Sequence, residues 1–575
     1  MWRSRASRRD GNAPIEETLQ PPPPPPPESS TGGAAVRLPR LAALLVLLLA
    51  LGLRVASIQS GLDFTEPHHA VFNVNLDERG MVFEELELME GDWHPGLFVM
   101  RGTAPFYLDG AADALTLRAL SMIRGEGWDE TVARARENPS VLFLVHRLLA
   151  ALASFGTVWI LMRTIAREFG PRAGLLSGLL LACAYLPVHL SHLGVIDLGW
   201  VFFATLALDR LLRYLRDARP RDLVLAGIWI GASASFKYPG GLLAVQVLAA
   251  FLVARSAAAR DGSAAPKLSH LAASGAACLV TFLALNPHLV LWPDAFRDAL
   301  RLQSETLHME SEGAIHWRAL LAHLRVSVPL GIGEPVAALA ALGLVLALLR
   351  GGRARALALF ALLTIPTAMI ANIPSPRFAI AVATAAIPLA ALALDRLFAR
   401  AGTRFAPAIV GIVLAPSLAR DLSFDWILTR RDTRSEMMER IEALGVPARE
   451  VVAVGHRGLP DPLPPPAPFL NLFAQIRRGK MGPEDVIAHP PTYLLRDLNA
   501  GRSDRIAWEP FRELVEERYE EVLHLDGRDP RGAPERKAGY YISPRLFLPF
   551  HAPWLRRRPG PGLVLYRLRS TTNPR

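Results

Sequence analysis

The sequence predicts an α-helical, polytopic membrane protein of about eleven transmembrane helices, followed by a small α/β region at the C-terminal end. Two observations carry this prediction. Hydrophobic residues make up 51% of the 575 residues, which is more than soluble cores bury. They are also gathered in long apolar runs separated by connections that alternate between basic and nearly uncharged. A bilayer accommodates such runs as helices.

Each predicted span is a mostly apolar run that satisfies its backbone groups within one helix. The predicted spans are residues 41–58, 141–162, 173–190, 196–212, 222–238, 240–254, 269–291, 329–349, 356–373, 378–395 and 405–419. The first run resembles a signal peptide, but it lies far from the N-terminus and lacks a clear small-residue cleavage site. We therefore interpret it as a retained helix.

Alternate connections determine the predicted orientation, because short basic loops stay in the cytoplasm. The basic set comprises Arg163, Arg167, Arg172, Arg210, Arg213, Arg216, Arg219, Arg221, Arg255, Arg260, Lys267, Arg350, Arg353, Arg355, Arg396, Arg400 and Arg404. The opposite short connections have at most one positive charge each. We expect a bacterial inner-membrane protein with a cytoplasmic N-terminus and external loops at 59–140, 187–197, 292–328 and 372–377.

Three parts make up the predicted domain organisation. Residues 1–40, rich in Pro and Arg, predict a disordered cytoplasmic segment. Residues 41–419 form the membrane domain. Residues 420–575 predict an external α/β domain, with a helix at 433–444, a Pro-rich loop at 459–468 and strands at 450–454, 540–542 and 563–568.

Composition excludes several classes of protein. The formal charge of +10 is spread among hydrophobic runs, which argues against a nucleic-acid partner. The only cysteines, Cys183 and Cys278, lie in apolar runs, so neither a disulfide framework nor a cysteine metal site is expected. The sequence has no Walker or dinucleotide glycine loop.

The first external loop contains the adjacent acids Asp77 and Glu78. Adjacent carboxylates near a membrane surface suit a general base or a divalent-cation site. An isolated pair of this kind is more often an inert part of a solvated loop. The pair becomes a candidate site only in combination with other external residues.

Three further charged residues fall on the same predicted face. Asp197 begins a span, where it is either functional or a carboxylate favoured by the helix dipole. Lys237 and Arg377 are the lone cations of two external turns. Each either binds a lipid phosphate or extends to the interface without a specific partner.

Histidines offer a second, metal-binding interpretation. His94 and His192 are candidate ligands, although a lone histidine is more often a satisfied polar residue. After Asn286, an amphipathic segment carries His308 and Glu312 four residues apart. That spacing makes them a lesser metal candidate, and an interfacial helix is the alternative.

Taken in order, these residues resemble the dolichyl-phosphate-mannose protein mannosyltransferase-like group of GT-C membrane glycosyltransferases, which is itself similar to the lipid A aminoarabinose transferases. The resemblance covers residues 41–445. Its motifs are Asp77-Glu78, the segment from His94-Pro95 to Tyr107-Leu108, Ser191-His192 before Asp197, Phe236-Lys237-Tyr238, Asn286-Pro287, Arg377-Phe378 before a run with Pro388, and Asp432-Thr433-Arg434.

The resemblance implies a GT-C-like bundle and inverting transfer of a sugar from a polyprenyl-phosphate donor to an external protein, lipid or glycan acceptor. Asp77 would then be the general base, and Glu78 a supporting or metal-binding acid. Asp197 would position a substrate, and Lys237 and Arg377 would stabilise the leaving phosphate. The lipid tail would lie between helices.

Two departures from the family pattern leave the substrate subgroup open. His94-Pro95-Gly96 stands in place of the usual Pro-rich stretch, and Phe378 in place of a common tyrosine. No cofactor is assigned, and a divalent metal ion held by Glu78 and His94 stays open. The alternatives are a transporter or flippase of lipid-linked sugars and a non-catalytic component of envelope polysaccharide assembly.

Overall fold

The structure is a computed structural model in which most of the chain is helical. It describes residues 38–62, 64, 76–308, 317–369, 375–402, 404–447, 450–454, 470–472, 481–498, 508–527 and 550–569. The N-terminal residues predicted to be disordered fall outside this range almost entirely. The predicted strand at 540–542 and the Pro-rich loop at 459–468 also lie outside the described residues.

The helices cover both the apolar runs and much of the first external loop. They are Arg40–Val55, Leu76–Met89, Ala104–Arg124, Trp128–Glu137, Ser140–Phe169, Pro171–Ala182, Tyr185–Ser191, Asp197–Asp217, Pro220–Phe236, Ala244–Asp261, Leu268–Leu285, His288–Leu291, Pro293–His308, Trp317–Ala322, Val328–Ile332, Glu334–Arg350, Gly352–Leu362, Ile365–Met369, Ile380–Ala401, Ala406–Leu428, Thr433–Ala443, Pro483–Ala488 and Arg512–Arg518. Short 3-10 turns occur at Gly96–Met100, Tyr238–Leu243, Pro376–Ala379, Glu509–Phe511 and Pro553–Leu555.

Fewer spans than the predicted eleven meet the length and apolarity that a membrane requires. Within the described residues, five helices are long and apolar enough, or seven if each of two bent pairs forms one span. The pairs bend by 53° between Pro171–Ala182 and Tyr185–Ser191 and by 117° between Ala319–Ile332 and Glu334–Arg350. Every predicted span overlaps a helix, but the number eleven is not confirmed.

The predicted cytoplasmic loops converge on one acidic residue. The buried Glu168 side chain accepts hydrogen bonds from Arg167 (Nε to Oε1, 2.6 Å), Arg216 (Nη1 to Oε1, 2.9 Å) and Arg353 (Nη1 to Oε2, 2.9 Å). These arginines come from three of the basic connections. The alternation of charge along the sequence therefore corresponds to a shared end of the helix bundle.

Small residues let the helices of the bundle approach closely. A Cβ atom on Gly343 would lie 2.0 Å from the Leu389 carbonyl oxygen, and one on Gly227 would lie 2.2 Å from that of Ser274. Such contacts are typical of membrane helices, where small residues permit backbone approach.

The C-terminal region contains a five-stranded mixed sheet with the order β2-β1-β3-β5-β4. Its strands are β1 (Val451–Val454), β2 (Leu470–Asn471), β3 (Tyr493–Asp497), β4 (Tyr519–Leu525) and β5 (Leu563–Leu568). β1 pairs in parallel with β2 and β3, and β5 pairs antiparallel with β3 and β4. Two of these strands, β1 and β5, lie where the sequence predicts them.

The helix Thr433–Ala443 links this sheet to the last long helix. The Asp432 side chain caps it by accepting a hydrogen bond from the Arg434 backbone N–H at 2.8 Å, as N-cap carboxylates do. Met437 and Ile441 pack with apolar residues of the sheet. In addition, the Phe550 ring lies 4.8 Å from that of Tyr185 in the bundle, so the C-terminal region packs directly on the helices.

Candidate active site

Asp77 lies in the first turn of the helix Leu76–Met89 and contacts two guanidinium groups. Arg101 Nη2 lies 2.8 Å from Asp77 Oδ1, and Arg377 hydrogen-bonds to the other carboxylate oxygen. The Asp77 side chain is 18% exposed. It is therefore accessible from the surface while its charge is balanced by residues that are distant in sequence.

Asp197 and Lys237 form a second ion pair beside the first. Lys237 Nζ lies 2.5 Å from Asp197 Oδ1, and the Asp197 side chain is 2% exposed. The Phe378 ring joins the two pairs, because Lys237 Nζ lies 4.9 Å and the Arg377 guanidinium carbon 5.4 Å from its centroid. Together the two pairs, Phe378 and Arg101 form one group, which we call the charged cluster.

The two cations of these pairs, Lys237 and Arg377, lie in short segments between consecutive helices. Lys237 is extended, with φ −155° and ψ 120°, immediately after the helix Pro220–Phe236. Ser375, with φ −69° and ψ 130°, precedes Pro376, and a residue before proline favours this extended conformation. Arg377 is the second residue of the turn Pro376–Ala379, which leads into Ile380–Ala401. Both side chains are thus held at helix ends, on one side of the bundle.

The charged cluster carries a surplus of positive charge. Asp77 and Asp197 contribute two negative charges, and Arg101, Lys237 and Arg377 contribute three positive ones, which leaves a formal charge of +1. A partly buried surplus of this kind attracts an anion, since charges at low dielectric are weakly screened. Arg101 was not a sequence candidate, although it is a single cation between uncharged residues of the external loop.

The loop that carries Arg101 is held by the turn after Lys237. The Tyr238 backbone N–H donates to the Arg101 carbonyl oxygen at 3.0 Å, and the Tyr238 hydroxyl donates to the Val99 carbonyl oxygen at 2.8 Å. Tyr238, a sequence candidate, therefore positions the first loop and lies next to the cluster.

Asn286, the other uncharged candidate, also positions this loop. Its Oδ1 accepts from the Thr103 backbone N–H at 2.9 Å, and its Nδ2 donates to Ser235 Oγ at 2.8 Å. The neighbouring His288 approaches Thr103 Oγ1 at 3.1 Å with Nδ1 and the Tyr238 hydroxyl at 3.3 Å with Nε2. These bonds join three separate segments of the chain behind Arg101.

Gly102 is required where the loop crosses the chain before Lys237. Its φ is +137°, and a Cβ atom would lie 2.3 Å from the Ser235 carbonyl oxygen. We expect Gly102→Ala to reduce the unfolding free energy by about 1–3 kcal/mol, because backbone strain and overlap with a fixed main chain add up. Thermal unfolding of the purified protein measures this effect.

Gly127→Ala is the matched control, since a Cβ atom there meets nothing within 4 Å. It is expected to change the unfolding free energy by less than about 0.5 kcal/mol. Equal stability of the Gly102→Ala and Gly127→Ala proteins would contradict the proposed constraint.

The structure separates the two members of the Asp77-Glu78 pair. Glu78 is fully buried and accepts from Arg147 through both oxygens, at 2.6 Å from Nε and 3.3 Å from Nη2. The Gly194 backbone N–H adds a bond of 3.2 Å. Glu78 therefore faces the helix Ser140–Phe169 and the loop before Asp197, whereas Asp77 faces the charged cluster.

The histidine candidates are not brought together. His94 accepts from the Gly96 backbone N–H at 3.2 Å and packs against the Trp292 ring. His192 is buried, and its ring nitrogens lie 2.9 Å from the Val188 and 2.6 Å from the Ala56 carbonyl oxygens. Because the two carbonyl groups belong to separate helical segments, the ring acts as a link between helices. The side chain of His308 lies outside the described residues.

The expected metal ligands Glu78 and His94 do not form a ligand group. Within the part of the chain that the structure describes, no group of three or more acidic, histidine or cysteine side chains near enough to share an ion includes either of them. Glu78 is instead neutralised by Arg147. One such group does occur, formed by Glu85, Asp109 and His146.

A mostly apolar cleft lies within the bundle, lined by the elements that carry the charged cluster. Its lining includes Val201, four residues after Asp197, and Ala381, four residues after Arg377. Leu243, in the turn that follows Lys237, also lines it. The elements that hold the charged side chains thus continue as the walls of an apolar groove within the bundle.

Residues 141–288 match the family model described as dolichyl-phosphate-mannose-protein mannosyltransferase. The match confirms the resemblance that the sequence motifs predict. It includes Asp197, Lys237, Tyr238 and Asn286, whereas Asp77 lies before it. No curated protein sequence matches the chain.

Three solved structures are similar to the chain at low identity. ArnT from Cupriavidus metallidurans bound to undecaprenyl phosphate has a TM-score of 0.43 and 16% identity, covering 70% of this chain and 72% of that one. The Archaeoglobus fulgidus oligosaccharyltransferase in complex with Zn and sulfate has a TM-score of 0.48 and 14% identity, covering 86% of this chain and 72% of that one. The S. cerevisiae protein O-mannosyltransferase Pmt1-Pmt2 complex bound to the sugar donor has a TM-score of 0.30 and 16% identity, covering 45% of this chain and 34% of that one. These identities are too low to transfer the role of any residue.

Proposed function

We propose that the protein is a glycosyltransferase that moves a sugar from a polyprenyl-phosphate carrier to an acceptor hydroxyl on the external side of the membrane. The proposal depends on the apolar cleft whose lining residues Val201 and Ala381 follow Asp197 and Arg377 of the charged cluster by four residues each. A polyprenyl-phosphate sugar has the matching construction, because an anionic headgroup is joined to a long apolar chain. The family match over residues 141–288 favours the same chemistry.

In this proposal the phosphate binds between Lys237, Arg377 and Arg101. Charge on the phosphate increases as the bond to the sugar breaks, and cations held in advance stabilise that charge. The surplus of one positive charge in the cluster favours an anion in place of solvent. The isoprenoid chain then occupies the cleft next to Val201 and Ala381, where its contacts with water are replaced by contacts with apolar side chains.

Asp77 acts as the general base. Its carboxylate takes the proton of the acceptor hydroxyl while the hydroxyl oxygen attacks the anomeric carbon from the face opposite the phosphate. The carbon–oxygen bond to the phosphate breaks, polyprenyl phosphate leaves with the electron pair, and the anomeric configuration inverts. Because Arg377 contacts Asp77, a phosphate that draws Arg377 toward itself also frees the carboxylate for the proton.

Asp197 positions Lys237 and a sugar hydroxyl. Its place at the first residue of the helix Asp197–Asp217 also favours the charged carboxylate, since a helix N-terminus carries partial positive charge. Asp209, further along the same helix, accepts a hydrogen bond from Arg167 at 2.7 Å. Twelve residues separate the two acids, or about 18 Å along a helix, which supports an external site opposite the basic cytoplasmic end.

The decisive experiment uses the purified full-length chain reconstituted in lipid vesicles. A panel of polyprenyl-phosphate monosaccharides is supplied together with an envelope extract as the source of acceptor, and the release of polyprenyl phosphate is measured. The proposal requires acceptor-dependent release with at least one donor. Movement of the intact donor across the membrane without cleavage would identify a transporter instead, and inertness toward the whole panel would contradict the proposal.

Arg377→Gln tests the phosphate contact. We expect kcat/KM for the donor to fall by about 10²-fold or more, because a cation aimed at the leaving phosphate is removed. Arg136→Gln is the matched control, since Arg136 forms an ion pair with Glu90 at 2.8 Å on the surface of the first external loop. If the two variants have the same kcat/KM, Arg377 does not bind the phosphate.

A further inference from the structure

A second polar group lies on the side of the helix Leu76–Met89 that faces the membrane domain. Glu85 of this helix, Asp109 of Ala104–Arg124 and His146 of Ser140–Phe169 bring ligand atoms within 4.8 Å of one another. His146 Nε2 lies 2.8 Å from Glu85 Oε2. Three separate helices thus converge on one point with a nitrogen and carboxylate oxygens.

This group contains polar atoms that the protein itself leaves unsatisfied. Glu85 is fully buried and His146 is 2% exposed. Glu85 Oε1 and His146 Nδ1 make no hydrogen bond within the described chain, and Glu85 Oε2 contacts only His146 Nε2. Leaving such groups buried without partners costs free energy, so their presence indicates a ligand that satisfies them.

The chemistry of the three side chains indicates which kind of ligand they bind. An imidazole nitrogen with carboxylate oxygens suits a divalent transition metal, whereas an anion would be repelled by the carboxylates. A third carboxylate, that of Asp113, lies 3.1 Å from the same nitrogen, His146 Nε2, and its negative charge further favours a cation.

We propose that Glu85, Asp109 and His146 bind a divalent transition-metal ion, Zn²⁺ or Mn²⁺, that fastens the first external helix to the bundle. Glu85 follows Asp77 by eight residues, or about 12 Å along the helix. The ion is therefore remote from the charged cluster and plays no part in bond breaking there. It sets the position of the helix whose first turn carries Asp77.

Gly194 shows how closely the surrounding chain encloses this group. A Cβ atom on Gly194 would lie 2.8 Å from His146 Cβ and 3.0 Å from Glu78 Oε1. The loop before Asp197 therefore packs directly on the residue that supplies the imidazole. An ion bound by Glu85 and His146 joins the helix of Asp77 to the helix on which this loop packs.

The test measures metal in the purified full-length protein. We expect about one equivalent of Zn²⁺ or Mn²⁺ per chain by mass spectrometry of the metal, and restored binding when Mn²⁺ alone is added after chelation, followed by electron paramagnetic resonance. A wild-type chain that neither retains nor rebinds either ion would overturn the proposal. This measurement does not depend on any variant folding.

Variants then locate the ion. Glu85→Gln and Asp109→Asn are expected to weaken Mn²⁺ binding about 10-fold or more, and Asp109 is only partly buried, so its variant is the gentler one. Glu87→Gln, exposed on the same helix, is the control and keeps the ion. Asp77→Asn also keeps it. Loss of the ion in Asp77→Asn with full retention in Asp109→Asn would place the metal at the charged cluster and refute this assignment.

Discussion

Asp77→Asn is expected to lower the rate of sugar transfer by about 10³-fold or more while donor binding is preserved. An amide cannot accept the acceptor proton, and general-base catalysis contributes about 10²–10⁴-fold. Asparagine keeps the shape of the side chain and an oxygen for Arg101, which lies 2.8 Å from Asp77 Oδ1. The effect should therefore appear in kcat, measured in the reconstituted vesicle assay, and less in KM.

The control for this variant is Asp129→Asn, an exposed acid in the first turn of the helix Trp128–Glu137. Its removal is expected to leave both kcat and KM unchanged. A wild-type kcat in Asp77→Asn would show that Asp77 is not the base, even if the chain proves to be a transferase. A rise in KM alone would instead assign Asp77 to holding Arg377.

The sequence predicted the charged cluster better than it predicted the spans around it. Asp77 was selected as one of two adjacent acids in a long loop, and Asp197 as an acid at the start of a span. Lys237 and Arg377 were selected as lone cations of external turns, and the order of local motifs resembled one family. The structure brings them together across up to 300 residues. Single-residue chemistry and topology were sufficient here, because each residue is conspicuous in its own segment.

Residues whose meaning depends on a tertiary partner were missed. Arg147 lies inside a predicted span, and only folding shows that its guanidinium faces Glu78. Glu85, Asp109 and His146 are separated by 24 and 37 residues, so no sequence spacing indicates that they meet. Bends were missed for a similar reason: the 117° turn before Glu334–Arg350 occurs at Gly333, with φ +92°, within an apolar run.

The predicted metal ligands show the same limit of prediction from sequence. Adjacent acids and a nearby histidine made Glu78 and His94 reasonable ligands on residue type alone. In the folded protein, Arg147 Nε donates a hydrogen bond to Glu78 Oε1 at 2.6 Å. A carboxylate already paired with a guanidinium gains little from a metal ion. Glu85 is also fully buried, but its partner is the imidazole of His146, 2.8 Å away, and not a guanidinium.

Arg147→Met is expected to destabilise the protein by about 3–5 kcal/mol, the largest loss expected from a single substitution here. Removing the guanidinium takes away the ion-pair partner of Glu78 in a site where the Glu78 side chain is 0% exposed and that of Arg147 is 4% exposed. It also removes bonds from Arg147 Nη1 to the Ile58 and Ser60 carbonyl oxygens, at 2.9 and 2.7 Å. The apparent free energy of unfolding in mixed micelles measures the loss.

The double variant Glu78→Gln with Arg147→Met tests whether the loss of stability arises from the buried negative charge of Glu78. Without the carboxylate, the penalty for burying it disappears, so the double variant should be more stable than Arg147→Met alone. The exposed pair of Arg136 and Glu90 is the matched control, and Arg136→Met should cost less than about 1 kcal/mol. If the double variant is less stable than Arg147→Met, Glu78 contributes through bonds other than the ion pair. Transfer activity per folded molecule should stay near wild type in Glu78→Gln, since Glu78 supports the helix of Asp77 from the side opposite the charged cluster.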